Sequence, residues 1–225
     1  MGFSKEKTIT VTADDYSTKD ALYNVEYQNV EGDWCLLEVL RDNHPENPRV
    51  GMDNVWTWVT KRGAGYSDLD EDGKTRLDIL PYLQMDKEEE KKWRDTVLFS
   101  DLHLYRHSGD FISIGERSSN PLCNDAWDSG VMGFAFVTKD KVLECFGVKK
   151  ITRKVREKAF KHLEYEVKEI NMYNAGEVYG FRFVNMTKDD EYNSWGYYCM
   201  SDDAIIQTAR DFAGIPEEIA GRLIK

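Results

Sequence analysis

The hydrophobic pattern is most consistent between Trp127 and Gly147. A polar turn, Trp127-Asp128-Ser129-Gly130, runs into an apolar strand over 131–137, Val-Met-Gly-Phe-Ala-Phe-Val. Thr138 then caps a helix over Lys139–Phe146, which Gly147 ends. A second helix is predicted over about 153–172, capped by Thr152. Val155, Ala159, Leu163, Val167 and Ile170 fall on one face of it, and Lys154, Lys158, Lys161 and Lys168 on another. Ser201-Asp202-Asp203 opens a helix with Ile205, Ile206, Ala209 and Phe212 inward. Pro216 starts the last one, anchored by Ile219 and Leu223.

Strands are predicted over 8–13, 34–40, 98–107, 111–114, 177–184 and 195–199. A short helix is expected near Ala21-Leu22, Asp86 caps another through Trp93, and Val55–Val59 fits either a strand or a short helix. Strands and helices come in runs without regular βαβ alternation. The expected fold is α+β, a mostly antiparallel sheet with the long amphipathic helix and the C-terminal helices packed on it. Residues 1–225 are read as a single domain, with a possible acidic N-terminal subdomain over 1–95 and an α+β core over 96–225.

Charge makes that division conceivable. The chain carries 30 Lys and Arg against 41 Asp and Glu, a net of −11. Residues 1–100 hold 13 against 21, a net of −8, and residues 101–225 hold 17 against 20. Such a balance repels nucleic acid and favours basic partners, besides keeping a protein dissolved. The one positive stretch is 149–161, with seven basic residues and the single acid Glu157. It reads as a solvated helix face or a phosphate-binding surface. No run approaches 18 apolar residues, so no membrane span is expected. Met1-Gly2-Phe3-Ser4-Lys5-Glu6 shows no signal core, and Cys35, Cys123, Cys145 and Cys199 lack paired spacing. Both point to free thiols in the cytoplasm.

Candidate chemistry is sparse. Asp68, Asp70, Asp72 and Gly73 match the opening of an EF-hand loop, but Thr75 and Ile79 stand where an aliphatic residue and a bidentate Glu are needed. His103 and His107 share a strand face without zinc-like pairing to a cysteine, so no metal is expected. No phosphate loop is present, because Gly63-Ala-Gly65 is followed by neither the later Gly nor the Lys-Ser/Thr. The turns His107-Ser108-Gly109 and Trp127-Asp128-Ser129-Gly130 hold the ingredients of nucleophilic catalysis without a nucleophile elbow. They read first as turn chemistry, with a polar-ligand pocket between them as the second possibility.

Trp127-Asp128-Ser129-Gly130-Val131-Met132-Gly133-Phe134-Ala135-Phe136-Val137 resembles a pattern of small accessory proteins of bacterial phages and mobile elements. The resemblance takes in the earlier turn Tyr105-Arg106-His107-Ser108-Gly109, the strand Gly176–Phe181 and the segment Trp195-Gly196-Tyr197-Tyr198, over about residues 98–200. It implies a setting in a bacterial host cell and carries over no catalytic residues or cofactor.

The function expected on these grounds is a non-enzymatic anti-defence inhibitor. It would bind the basic surface of a host nuclease or CRISPR-type ribonucleoprotein complex as a nucleic-acid mimic, with no direct nucleic-acid binding of its own. Its contact residues would be Asp68, Asp70, Glu71, Asp72, Asp78, Glu88, Glu89 and Glu90. The alternative is a small-nucleotide sponge or hydrolase with His107, Ser108, Trp127, Asp128, Ser129 and Tyr179 lining the pocket. Phosphate contacts would then come from 149–161. A third class, an assembly protein with an aromatic self-interface, leaves the oligomeric state open.

Overall fold

The structure is a computed structural model that describes residues 19–51, 54–60, 65–68, 86–107, 109–115, 128–198, 201–220 and 222. The chain divides into two compact units, one built from 1–45 and 176–225 and the other from 46–175, which is inserted between them. The charge step near residue 95 falls inside the inserted unit. The fold class is α+β, with two four-stranded sheets, all of whose strand pairs are antiparallel.

In the first unit the sheet order is β1-β2-β7-β8, from β1 (Ala21–Gln28), β2 (Trp34–Arg41), β7 (Val178–Asn185) and β8 (Asp190–Tyr198). The expected short helix at Ala21-Leu22 is instead the start of β1. Tyr23, Val25 and Tyr27 alternate onto a core that a helix cannot present at that spacing. They meet Cys35, Leu37, Val39 and Phe181 under α5 (Asp202–Ala213), whose Ile205 and Ala209 close the core with Ile215. Ser201 caps α5 by accepting from the Ala204 N–H, and Gly214 ends it in the left-handed region at φ 63°. The short α6 (Glu217–Ala220) follows Pro216.

On the opposite face Glu38 is fully buried, and Arg182 neutralises it from directly across the β2–β7 pair, Nη1 to Oε2 2.7 Å. The same guanidinium holds Glu191 with two bonds, at 2.9 and 2.7 Å.

The inserted unit has sheet order β3-β6-β4-β5, from β3 (Thr57–Thr60), β4 (Val97–Arg106), β5 (Asp110–Ile114) and β6 (Ser129–Thr138). Val55–Val59 thus resolves as the approach to a strand and its first three residues. Among the described residues of this unit, the short α1 (Pro48–Gly51) is joined by α2 (Lys87–Arg94), α3 (Lys139–Cys145) and α4 (Arg153–Ala175).

At 23 residues α4 is about 34 Å long. It buries Val155, Ala159, Leu163, Val167 and Ile170, the face expected from spacing, against Leu98, Leu102, Ile112, Ala135 and Val137. The reverse face of the sheet carries Phe99, Phe134 and Phe136, which Trp93 of α2 covers with edge-on ring contacts at 5.4–6.4 Å. Thr138 caps α3 as expected, accepting from the Lys141 N–H at 3.2 Å. Among the described residues no helix is long and apolar enough to cross a membrane.

One glycine of the 127–137 run has a steric reason. A Cβ on Gly133 would lie 2.0 Å from the Val59 carbonyl oxygen and 2.8 Å from Thr60 Cα, both backbone of the neighbouring strand, whereas one on Gly130 would meet open space. Gly133→Ala must therefore push β3 off β6, a strain of about 1–3 kcal/mol. Gly130→Ala should be near neutral. Thermal unfolding checks the pair: Gly133→Ala is expected to melt several degrees lower, and equal melting of the two variants would refute the close approach.

Candidate functional site

The two turns singled out in the sequence meet. Arg106 ends β4 and Asp110 begins β5, and their bidentate pair, both bonds 2.6 Å, closes the turn between those strands. Tyr105 pairs with Ser129 across β4–β6. The Arg106 N–H then donates to the Asp128 carbonyl at 2.7 Å, carrying the ladder one rung further. That rung sets the Asp128 carboxylate beside His107, with Nδ1 2.6 Å from Oδ2. A carboxylate only accepts, so Nδ1 donates, which orients a ring whose side chain is 67% exposed. Tyr105 lies alongside the imidazole, ring centroids 6.3 Å apart. An imidazole oriented in this way can exchange protons with a ligand or coordinate one.

Behind the turn, the Tyr66 hydroxyl donates to Asp110 at 2.9 Å and lies 3.1 Å from Asn174 Oδ1. Burial and the Asp110 carboxylate push the Tyr66 phenol up to about 12. The Arg106 guanidinium holds the Asp110 carboxyl below its ordinary value.

Of the other expected pocket residues, Ser129 is the half-buried first residue of β6. Tyr179 sits on β7 in the first unit, packed against that unit's own core. Ser108 and Trp127 lie outside the described residues.

Of the eight acids expected to form the contact, the four that are described are mostly occupied with local structure. Asp86 caps α2 by accepting from the Glu88 and Glu89 N–H groups at 2.8 and 2.9 Å, and Glu89 reaches back to the Asp86 N–H at 3.2 Å. Glu90 bonds Arg94 at 2.8 Å, while Glu88 is exposed in the first turn. Asp68 is turned inward. Its carboxylate accepts from the Trp58 N–H at 2.6 Å and from Arg49, whose Nε lies 3.0 Å from Oδ1 and whose Nη2 bonds Oδ2. That engagement takes Asp68 out of the acidic surface and out of any EF-hand-like ligand set. Asp70, Glu71, Asp72 and Asp78 lie outside the described residues.

Arg49 is the polar centre that pattern reading overlooked. All five of its N–H groups are used: Nε and one Nη2 proton on Asp68, the other Nη2 proton on the Trp56 carbonyl at 2.8 Å, and Nη1 on Asn54 and Glu166 at 2.9 and 2.7 Å. The guanidinium also lies over the Trp58 ring, 4.4 Å from its centroid. Glu166 completes the arrangement by accepting from the Val55 and Trp56 N–H groups at 2.9 and 3.1 Å. Both Arg49 and Glu166 side chains are only 3% exposed. Removing one partner of such a pair strands the other charge and costs about 3–5 kcal/mol. The sequence held one signal, since Glu166 interrupts the apolar face of α4 beside Val167 and three residues after Leu163.

His103, paired in the sequence with His107, is buried and bonds the Gly115 carbonyl through Nε2 at 2.9 Å. Among the described residues no three His, Cys, Asp or Glu side chains are grouped to hold a metal ion. The basic stretch 149–161 borders a shallow groove of about 500 Å³ lined by Lys139, Asp140, Leu143 and the first turn of α4. Neither His107 nor Asp128 contributes to it.

Compared with known proteins, the chain matches no family model, no curated protein and no solved structure.

Glu169, one turn along α4 from Glu166, is held above the ordinary glutamate value of 4.5 by burial and then by the Glu166 charge, with His162 and Arg49 pulling the other way. A raised carboxyl favours the folded state at pH below 4.5. That contribution is lost as pH rises through the folded value. Glu169→Gln is therefore expected to raise stability slightly at pH 7, by a few tenths of a kcal/mol after solvent screening. It should leave unchanged the acid limb below about pH 4, to which the depressed carboxyls of Asp110, Asp33 and Glu191 contribute in the opposite sense. Urea unfolding at pH 4 and pH 7 tests this, and a variant less stable at pH 7 would refute it.

Proposed function

We propose that the protein acts by binding, presenting its acidic first unit to the basic surface of another protein. In the setting that the phage-like pattern implies, the partner is a host nuclease or CRISPR-type complex, and the protein is an anti-defence inhibitor. The observation that carries this reading is how charge divides between the units. Residues 1–45 and 176–225 hold 9 Lys and Arg against 18 Asp and Glu, a net of −9, whereas residues 46–175 hold 21 against 23, a net of −2. Three of the first unit's cations are also bonded to its own acids: Arg182 to Glu38 and Glu191, Lys188 to Glu31 and Asp33, and Arg210 to Glu217. Exposed acids such as Asp20, Glu26, Asp190, Asp211 and Glu218 lie around the unit. A surface of that sign attracts cationic partners over a Debye length and aids encounter.

The test is affinity recovery from a bacterial lysate carrying defence systems. The wild-type protein is compared with a variant in which Glu26, Asp190, Asp211 and Glu218 are all changed to Lys. Salt-sensitive recovery of a nuclease or guide-RNA complex by the wild type, lost in the folded variant, is expected. Equal recovery by both would overturn the acidic contact.

The His107–Asp128 bond favours a second reading, a small-nucleotide sponge or hydrolase using the oriented imidazole. It requires that a cyclic or linear nucleotide raise the melting temperature or be turned over, and that His107→Ala abolish the effect. A nucleotide panel giving neither result would remove this reading.

A further inference from the structure

Exposed sheet edges are templates for pairing, and proteins normally blunt them. The inserted unit seals both of its edges with side chains that take the place of a missing strand. On β5, Asn171 of α4 accepts from the Ile112 N–H at 2.7 Å and donates to its carbonyl at 2.8 Å. On β3, Asp68 does the same to Trp58, its N–H donating to the carbonyl at 3.0 Å and its carboxylate accepting from the N–H at 2.6 Å.

The first unit treats β8 differently. Among the described residues, to which the strand expected over 8–13 does not belong, this nine-residue strand has β7 as its one neighbour, and it leaves Asp190, Glu191, Tyr192, Asn193, Trp195 and Gly196 exposed. Among the described residues, positions 191–197 make backbone–backbone bonds to β7 alone. The strand contains neither proline nor lysine, the residues most used to blunt an edge.

What lines this edge is specific. Glu191 stands against Arg182 of β7, and Trp195 lies over Gly180, so both belong to the face away from α5. The indole rests so closely on β7 that a Cβ at Gly180 would fall 2.0 Å from its Cε3, yet Trp195 is 48% exposed. On the α5 face, Tyr192 packs between Phe183 and Phe212, with centroids at 4.7 and 5.1 Å, and is 43% exposed. From Asp189 to Ala209 the chain has no Lys or Arg and five acids: Asp189, Asp190, Glu191, Asp202 and Asp203. An accessible backbone edge is thus bracketed by carboxylates and flanked by half-exposed aromatic rings.

We infer that the outer edge of β8 is a docking strand for an extended basic segment of a partner protein, which adds to the sheet as a fifth strand. This inference rests on the acidic-unit reading and gives it a binding mode. Backbone hydrogen bonds to β8 supply sequence-tolerant affinity, as in other strand additions. Specificity comes from Lys or Arg side chains at alternate positions of the segment. On the face away from α5 these reach the acid at the start of β8 and the Trp195 ring, where a cation gains from the π face.

The probe is a capped eight-residue peptide of alternating arginine and valine, with alternating arginine and proline as its charge-matched control. The control cannot donate backbone bonds from half its residues. Binding to the full chain is measured at low salt together with hydrogen exchange of residues 190–198. The arginine–valine peptide is expected to bind and slow exchange in that segment. Asn193→Lys, which places a cation on the edge, should weaken it about tenfold without lowering the melting temperature. The arginine–proline peptide should bind more weakly and protect nothing there. Equal binding of both peptides with unchanged exchange over 190–198 would overturn the docking strand while leaving the acidic surface intact. Binding of neither would overturn both.

Discussion

The buried guanidinium of Arg49 is the interaction on which the inserted unit depends. β3 is only four residues long, and a strand of that length has little pairing energy of its own. Three constraints hold it. Gly133 lets its backbone approach β6 closely, Asp68 occupies its outer edge, and Glu166 of α4 takes the N–H groups of the two residues before it. Asp68 and Glu166 are anions in or near a hydrophobic core, tolerable because a single planar cation with five donors lies between them. The contact between helix and sheet is thereby fixed in register as well as in distance. An apolar residue at 49 would leave the Trp56 carbonyl and both carboxylates without the guanidinium they share.

The same chemistry explains how the two sheets differ. In the inserted unit a side-chain carboxylate and a side-chain amide reproduce the donor and acceptor pair of a missing strand, so its backbone edges are closed from within. In the first unit the corresponding polar pair is a buried charge pair, Glu38 with Arg182, and among the described residues the strand beyond it pairs with β7 alone. Acidity follows the same partition. The inserted unit balances its charge almost residue for residue, and the excess anions belong to the first unit.

Much of this fold was legible in local pattern. The caps at Asp86, Thr138 and Ser201, the stop at Gly147, and the apolar face of α4 all follow from short-range stereochemistry, and all are present. The pairing of β2 with β7 was not legible. It joins Leu36 to Val184 across the whole inserted unit, and no local signal records a contact of that separation. The misread at Ala21 has a similar cause: Tyr23, Val25 and Tyr27 show their period only once the core they face is known. The meeting of the His107 and Asp128 turns was open to inference because both flank neighbouring strands. The Arg49 centre was harder to find, since Arg49, Asp68 and Glu166 are scattered in sequence and only the misplaced charge on an apolar helix face hinted at it.

The acidic runs show why linear charge is an unsafe guide to a contact surface. Asp86–Glu90 looks like a patch, yet one member caps a helix, another closes the capping box and a third pairs one turn along, so the run is mostly a helix start. Asp68 looks like the head of an acidic loop, yet its carboxylate is an internal ligand of Arg49. In the first unit the acids are dispersed in sequence, over both ends of the chain, and only folding gathers them. A charge that serves binding must remain after caps, pairs and buried networks have taken their share. By that measure the excess lies in the first unit, where cations are few and three of them, Arg182, Lys188 and Arg210, are already engaged.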